Sequence, residues 1–216
     1  MNLKVNEIFH SIQGESSYAG MPCVFVRLTG CNLRCAWCDT RYAYEEGETV
    51  AIADIAERVR AYGCRLVEVT GGEPLLQSGT PDLVDMLLTE GHRVLLETNG
   101  SMDIGVIDPE CVRIVDIKCP SSGVASQNCL RNLDLLTNRD ELKFVIATHE
   151  DYEFAANLVR SATPGNGFPL YTINFSPVFG AVSATTLAEW ILRDRLPVRL
   201  NLQLHKILWD PNTRGV

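Results

Sequence analysis

No stretch of the 216 residues approaches the roughly 18 to 20 consecutive apolar residues that a bilayer-spanning helix needs, so no membrane partner is expected. Clusters of positive charge are missing too. Lys and Arg number 19 against 27 Asp and Glu, a formal net charge of -8, and the positive residues are scattered. That balance gives no electrostatic basis for gripping nucleic-acid phosphates. The opening octet Met-Asn-Leu-Lys-Val-Asn-Glu-Ile has no apolar signal core and no small-residue cleavage site, and a cytoplasmic protein is expected. No internal repeat or low-complexity tract interrupts the chain. In that setting the eight cysteines read as reduced thiols and not as a disulfide framework.

What remains is an ordinary globular composition, 46% apolar and 21% charged. It is long enough for one domain, residues 1–216, with a real core. Extended, β-rich runs recur at Val24–Thr29, Arg65–Thr70, Arg93–Thr98, Arg113–Lys118, Glu141–Ile146, Leu170–Phe175 and Val198–Leu204. Ile52, Ile55, Ala56 and Val59 follow helical spacing, with Gly63 as the stop. Thr80-Pro81 reads as a cap and first turn for a second helix that runs to Gly91. Further helices are predicted over Asp151–Arg160 and Thr185–Arg193, and a weaker one over Ser126–Leu136. Strand alternating with helix implies a parallel sheet. Six or seven mainly parallel strands are too few for a closed eight-fold barrel, so the expected fold is α/β, a partial, open βα barrel. Chemistry in such folds sits at the carboxyl ends of the strands. Polar residues follow the strands there: Gly71-Gly72-Glu73, Glu97-Thr98-Asn99, Asp116-Ile117-Lys118, Ser176-Pro177 and His205.

Cys31, Cys35 and Cys38 follow the first of these runs, spaced by three and then two residues. Zinc usually takes four ligands as two separated pairs, and no partner pair lies downstream. A [4Fe–4S] cubane has four irons, each wanting an outer ligand. Three cysteines leave one iron for a small molecule, and S-adenosylmethionine (SAM) can supply it with an amino nitrogen and a carboxylate oxygen. Zinc stays as the alternative. Cys23, Cys64, Cys111, Cys119 and Cys129 have no paired spacing and read as small buried hydrophobes, with a second cluster as their alternative.

The cysteine motif, its Trp37 before the third cysteine, and Thr70-Gly71-Gly72-Glu73-Pro74 resemble the radical SAM superfamily. Glu7-Ile8-Phe9, Ser11-Ile12-Gln13-Gly14-Glu15, Phe25-Val26-Arg27-Leu28, Cys38-Asp39-Thr40, Glu97-Thr98-Asn99-Gly100 and Leu202-Gln203-Leu204-His205-Lys206 are similar to segments of the 7-carboxy-7-deazaguanine synthase family, in the family's order. The resemblance implies a ring contraction of 6-carboxy-5,6,7,8-tetrahydropterin to 7-carboxy-7-deazaguanine, with loss of ammonia, in queuosine and 7-deazapurine biosynthesis. A 5′-deoxyadenosyl radical would take a hydrogen from the carbon bearing the carboxylate and return it. Magnesium, an electron donor such as flavodoxin or ferredoxin, and a homodimer are implied as well.

Site residues follow from the same likeness. The expected substrate set is Ile12, Gln13, Gly14, Glu15, Arg27, Thr70, Gln203 and His205. Arg27 interrupts an apolar strand, so it faces away from Val26 and Leu28, and its planar fork suits a carboxylate. Thr40 is the expected magnesium ligand, a hard oxygen of the kind that ion prefers. The expected SAM set is Trp37, Cys38, Asp39, Gly72, Glu73, Asp116, Ile117, Lys118 and Ser176. Gly71 and Gly72 would let backbone approach the methionine part, Glu73 would accept from its ammonium group, and Glu97, Thr98 and Asn99 would reach the ribose or methionine. Asp116 and Ile117 stand where the family has Ser-Pro, and Ser16 stands where it usually has Gly. Arg199, Asn201, Gln203 and His205 alternate with Val198, Leu200, Leu202 and Leu204, which predicts a strand with one polar face. The family uses its C-terminal residue near the substrate; here the chain runs on past Lys206 to Val216. A glycyl-radical-enzyme activase with the same cysteine spacing, acting on a protein, is the alternative function. A plain iron–sulfur electron carrier would need no Gly-Gly-Glu turn.

Overall fold

The alternation of β-rich runs with helices decides the architecture. In a computed structural model that describes residues 1–162, 167, 169–211 and 213–216, seven strands pair in parallel: β2 (Pro22–Leu28), β4 (Leu66–Gly71), β5 (Arg93–Thr98), β6 (Val112–Ile117), β7 (Glu141–Ile146), β8 (Thr172–Pro177) and β9 (Arg199–Leu200). Two antiparallel strands, β1 (Asn2–Ile12) and β3 (Glu48–Ala51), extend the β2 edge, giving the order β3-β1-β2-β4-β5-β6-β7-β8-β9. The sheet is open and mainly parallel, as the alternation predicts. One face carries Val24, Val26, Val67, Val69, Val94 and Leu96 into a core with α1 (Ile52–Ala61) and α2 (Thr80–Thr89). The other face is concave. At its floor Cys23, Phe25, Leu66, Leu95, Val112 and Ile114 form a smaller apolar plug. Nearer the carboxyl ends the same face turns polar. Two further helices, α3 (His149–Ala162) and α4 (Ala184–Asp194), follow β7 and β8. Among the described residues no helix is long and apolar enough to cross a membrane.

Four details differ from the sequence expectations. β1 and β3 were not predicted. A register shift between Val5 and Glu7 breaks β1's alternation midway, which hides it from a period-two search. Thr80 is the first helical residue and not the cap: Gly79 precedes α2, and the Thr80 hydroxyl donates to the Pro74 carbonyl at 2.6 Å. Residues Ser126–Leu136 form no α-helix but two 3₁₀ turns, Ala125–Gln127 and Leu130–Leu135. The Asn128 and Asn132 side chains bond backbone groups of Lys118, Gly100 and Met102 instead. Finally, β9 keeps only Arg199 and Leu200, both exposed, while Asn201 is buried. The chain then leaves the sheet, because the Leu204 amide pairs with the Gly14 carbonyl at 2.9 Å, and passes into the short helix α5 (His205–Leu208). The predicted two-faced strand over Val198–Leu204 therefore does not form.

Ser16 sits at φ 63°, in the left-handed region. Only Gly adopts that region freely, which explains why glycine suits the position. Here the Ser16 hydroxyl accepts from the Tyr18 amide at 3.2 Å.

At the amino ends of the strands a sealed ion pair joins β6 to the loop before β7. Asp140 accepts from the Arg113 amide (2.9 Å), Nε (3.1 Å) and Nη2 (2.6 Å), and from the Thr137 amide (2.7 Å). Burial opposes ionisation, yet the Arg113 bonds hold the Asp140 carboxyl below its ordinary value. Asp140→Ala strands a buried guanidinium. It should lower unfolding stability by about 3 to 5 kcal/mol, read as a lower urea midpoint with an unchanged slope; an unshifted midpoint would refute this.

Candidate active site

A cavity of about 810 Å³ opens at the carboxyl ends of the parallel strands. The turn after β1, the loops after β2, β4, β5, β6 and β8, and the chain's C-terminal residues wall it. Cys31, Cys35 and Cys38 border one side, and all eight cysteines of the chain are free. The Cys31 sulfur accepts from the Leu33 amide (3.4 Å) and from Asn99 Nδ2 (3.7 Å). The Tyr44 hydroxyl bonds Cys38. Burial raises the Cys35 thiol, with Lys118 pulling the other way and Asp116, Cys38 and Cys31 adding to the rise. Among the described residues no three His, Cys, Asp or Glu side chains are drawn together as a single ion would require. Three half-buried thiols around one cavity, with N–H donors and a buried ammonium beside them, fit a cubane and leave one of its ligand positions to the cavity. By contrast, burial pushes the Cys23, Cys111 and Cys119 thiols far up, as expected of inert packing residues.

The Gly-Gly-Glu-Pro turn is built against the cysteine loop. The Gly72 amide donates to the Leu28 carbonyl (3.2 Å) and the Glu73 amide to the Gly30 carbonyl (2.7 Å). A Cβ on Gly72 would strike the Gly30 carbonyl and the Cys31 Cβ, and one on Gly71 would strike Leu28. What approaches the glycines within the chain is therefore Leu28–Cys31. Glu73 is fully buried. Its carboxylate accepts from the Leu75 amide (3.0 Å), the Thr98 hydroxyl (2.8 Å) and the Asn99 amide (2.6 Å), tying this turn to the end of β5.

The opposite side of the cavity is polar. Arg27 donates from Nε to Glu7 at 2.8 Å and lies between the Phe9 and Tyr42 rings, 5.8 and 6.0 Å from their centroids. Tyr42 also donates to Glu7 at 3.0 Å. The two Nη atoms of Arg27 make no hydrogen bond to the described residues, which leaves them for an anion. Lys143 is buried between Glu15 and Glu97, the latter at 2.7 Å. Burial works against its charge, but Glu15 and then Glu97 hold the ammonium protonated. Gln203 Nε2 donates to Glu15 at 2.6 Å, and Gln13 Nε2 donates to Glu68. His205 packs on Gly14, where a Cβ would collide with its imidazole. Burial lowers the His205 pKa, against the pull of Glu15. Asp39 pairs with Lys206 at 2.7 Å and accepts from the Thr40 hydroxyl at 3.0 Å. Burial resists, yet Lys206 and Thr40 hold the Asp39 carboxyl at about 2.

Of the residues singled out in the sequence, Ile12, Gln13, Gly14, Glu15, Arg27, Thr70, Gln203 and His205 border the cavity. So do the three cysteines, Trp37, Asp39, Thr40, Gly72, Glu97, Thr98, Asn99, Asp116, Lys118 and Val216. Glu73, Ile117 and Ser176 do not. Ile117 is in the helix-side core, and Ser176 is buried against Asn201, which donates to it at 3.2 Å. Among the cavity residues that escaped the sequence reading are two buried charges, Glu68 and Lys143. Their signal was available, since each is a charge flanked by apolar residues within a strand, Val67-Glu68-Val69 and Leu142-Lys143-Phe144.

Comparison with known proteins agrees with this geometry. The profile of the radical SAM superfamily matches residues 25–115. A 7-carboxy-7-deazaguanine synthase of Chlorobaculum tepidum is 51% identical, over 99% of this chain and 97% of its own. That of Koribacter versatilis is 43% identical over 99% and 100%. The crystal structure of QueE from Escherichia coli superposes with a TM-score of 0.76 at 26% identity, covering 94% of both chains. Half of all positions shared along nearly the whole length, together with a matching fold, assigns the chain: it belongs to the 7-carboxy-7-deazaguanine synthase family of radical SAM proteins.

Proposed function

We propose that this chain makes 7-carboxy-7-deazaguanine, the product its relatives are named for, from 6-carboxy-5,6,7,8-tetrahydropterin with loss of ammonia, in queuosine and 7-deazapurine biosynthesis. The observation that carries this is one cavity with three thiols on one side and, on the other, a guanidinium whose Nη atoms are free. When bound, the [4Fe–4S] cluster and SAM supply a hydrogen-abstracting radical. Cys31, Cys35 and Cys38 hold the cluster. Trp37, Cys38, Asp39, Gly72, Asp116 and Lys118 receive SAM, with Glu73, Ile117 and Ser176 supporting from behind the wall. Arg27 takes the substrate carboxylate through its free Nη atoms, kept in place by Glu7. Ile12 to Glu15, Thr70, Gln203 and His205 hold the bicyclic ring. Thr40, oriented by Asp39, offers a hard oxygen to magnesium, which takes few protein ligands and fills its shell from substrate and water.

The whole of residues 1–216 acts as one domain, in the cytoplasm, as a homodimer served by flavodoxin or ferredoxin. A protein-directed activase would need an open docking face; the charged, ligand-sized cavity supports the small substrate instead.

Replacing Cys35 by Ala should abolish cluster retention; iron and brown absorbance at wild-type levels would remove it from the ligand set. Arg27→Ala should raise KM for the carboxy-tetrahydropterin by about 10-fold to 100-fold with iron content unchanged, measured by anaerobic steady-state kinetics; an unchanged KM takes Arg27 out of the site. Because the His205 pKa lies below its ordinary value, the imidazole is neutral at pH 7 and gains its proton only on acidification. The midpoint of any His205-linked change in KM should therefore lie below pH 6.5, the ordinary imidazole value, and His205→Gln should erase that acidic limb. A KM that titrates between pH 6.5 and 8 and flattens in His205→Gln would contradict this.

A further inference from the structure

The cavity floor holds a carboxyl that the function proposed above does not use. Glu68 lies on β4 between Val67 and Val69, which face the helix-side core, so its side chain faces the concave interior. The residue is 3% exposed and borders the cavity. Oε2 accepts from Gln13 Nε2, whereas Oε1 has no hydrogen-bond partner among the described residues. That oxygen is also absent from the sealed, unpartnered atoms of the structure, so it reaches the cavity space.

Its neighbours are already committed. Glu15 takes Lys143 and Gln203, Glu97 takes Lys143, and the side-chain Oε1 of Gln13 accepts from the Glu15 amide at 3.0 Å. Three carboxyls thus surround one ammonium, and the nearby Arg27 is answered by Glu7. A third buried negative charge would have no counter-ion. Burial first, then Glu97 and Glu15, raise the Glu68 carboxyl well above the ordinary range, against the pull of Lys143 and Arg27. With Oε2 accepting from Gln13, the proton belongs on Oε1, facing the cavity.

We propose that Glu68 is a specificity-determining residue whose Oε1–H donates a hydrogen bond to the ring carbonyl of an aminopyrimidinone bound in the cavity. This inference rests on the pterin reading above. Such a ring presents one carbonyl acceptor beside a ring N–H and an amino group. A buried hydroxyl donor suits the carbonyl and opposes an amino group at the same place, because two donors would face each other without an acceptor. Glu68 therefore both favours the oxo ring and rejects its amino counterpart.

The test compares wild type, Glu68→Gln and Glu68→Leu as reconstituted full chains with SAM, reductant and magnesium. Glu68→Leu should raise KM for 6-carboxy-5,6,7,8-tetrahydropterin about tenfold or more, while iron content and SAM affinity stay at wild-type values. Glu68→Gln stays neutral, still accepts from Gln13 and still donates to the cavity. It should recover KM to within about threefold of wild type. The analogue with an amino group in place of the ring carbonyl should inhibit wild type poorly, and Glu68→Leu should narrow that discrimination. A wild-type KM in Glu68→Leu overturns the proposal. So does a Glu68→Gln as impaired as Glu68→Leu, since the site would then need an ionised carboxylate. If Glu68→Leu fails to retain iron, Glu68→Gln decides alone: a tenfold rise in KM overturns, recovery within threefold supports. A wild-type enzyme that makes no deazapurine from the pterin would instead sink the underlying functional reading, before any variant is compared.

Discussion

A parallel strand covered on both faces sends alternate residues to opposite sides, and here that pleat does two jobs at once. Val67 and Val69 of β4 bind the helices, while Leu66, Glu68 and Thr70 face the hollow. The same division holds on β2, β5, β6 and β7. The register between neighbours is parallel and staggered: Glu68 pairs with Phe25 and Leu95, Glu97 with Ile114, and Lys143 with Asp116. The apolar plug seals the floor. Glu68, Glu97 and Lys143 form a charged layer that climbs across the sheet, and the rim carries the backbone turns that approach the cysteine loop. A one-residue slip in any of these strands would put charge in the helix-side core and valine in the cavity.

The charged layer also fastens the antiparallel lobe to the parallel sheet. Lys143 on β7 reaches Glu15, in the turn leaving β1, and Glu97 on β5. Gln13 reaches Glu68 on β4, and Ser17 reaches Glu141 on β7. These bonds cross the concave face where no backbone ladder does. Buried charges gain conformational uniqueness only when each is answered, and among the described residues the carboxyl oxygens of this layer left without a hydrogen bond, Glu68 Oε1 and Glu97 Oε2, belong to residues that border the cavity.

The cysteine loop and the Gly-Gly-Glu-Pro turn were legible in the sequence because their chemistry is local: spacing within eight residues decides the first, and steric need for glycine the second. The parallel strands were legible because strands packed on both faces read as apolar runs with few exceptions. β1 was not, since its bulge changes the phase of the alternation. The fate of Val198–Leu204 was not either, because a single amide-to-Gly14 bond across the fold decides where that strand stops. Glu73 shows a subtler limit. Its position in the motif is plain, but only the fold reveals that both its oxygens are taken by Leu75, Thr98 and Asn99. Lys143 and Glu68, which the sequence reading passed over, belong to the inward half of the pleat.

An open sheet has two free borders, and here they are its two shortest strands: β3 with four residues and β9 with two. Glu48 and Arg199 put charge on them, and Pro197 precedes the second. Edge strands this short and charged offer a poor template for another chain's strand. The molecule can thus leave its concave face accessible to a small, diffusible occupant without becoming sticky along its margins, and colloidal behaviour and ligand access need not be traded against each other.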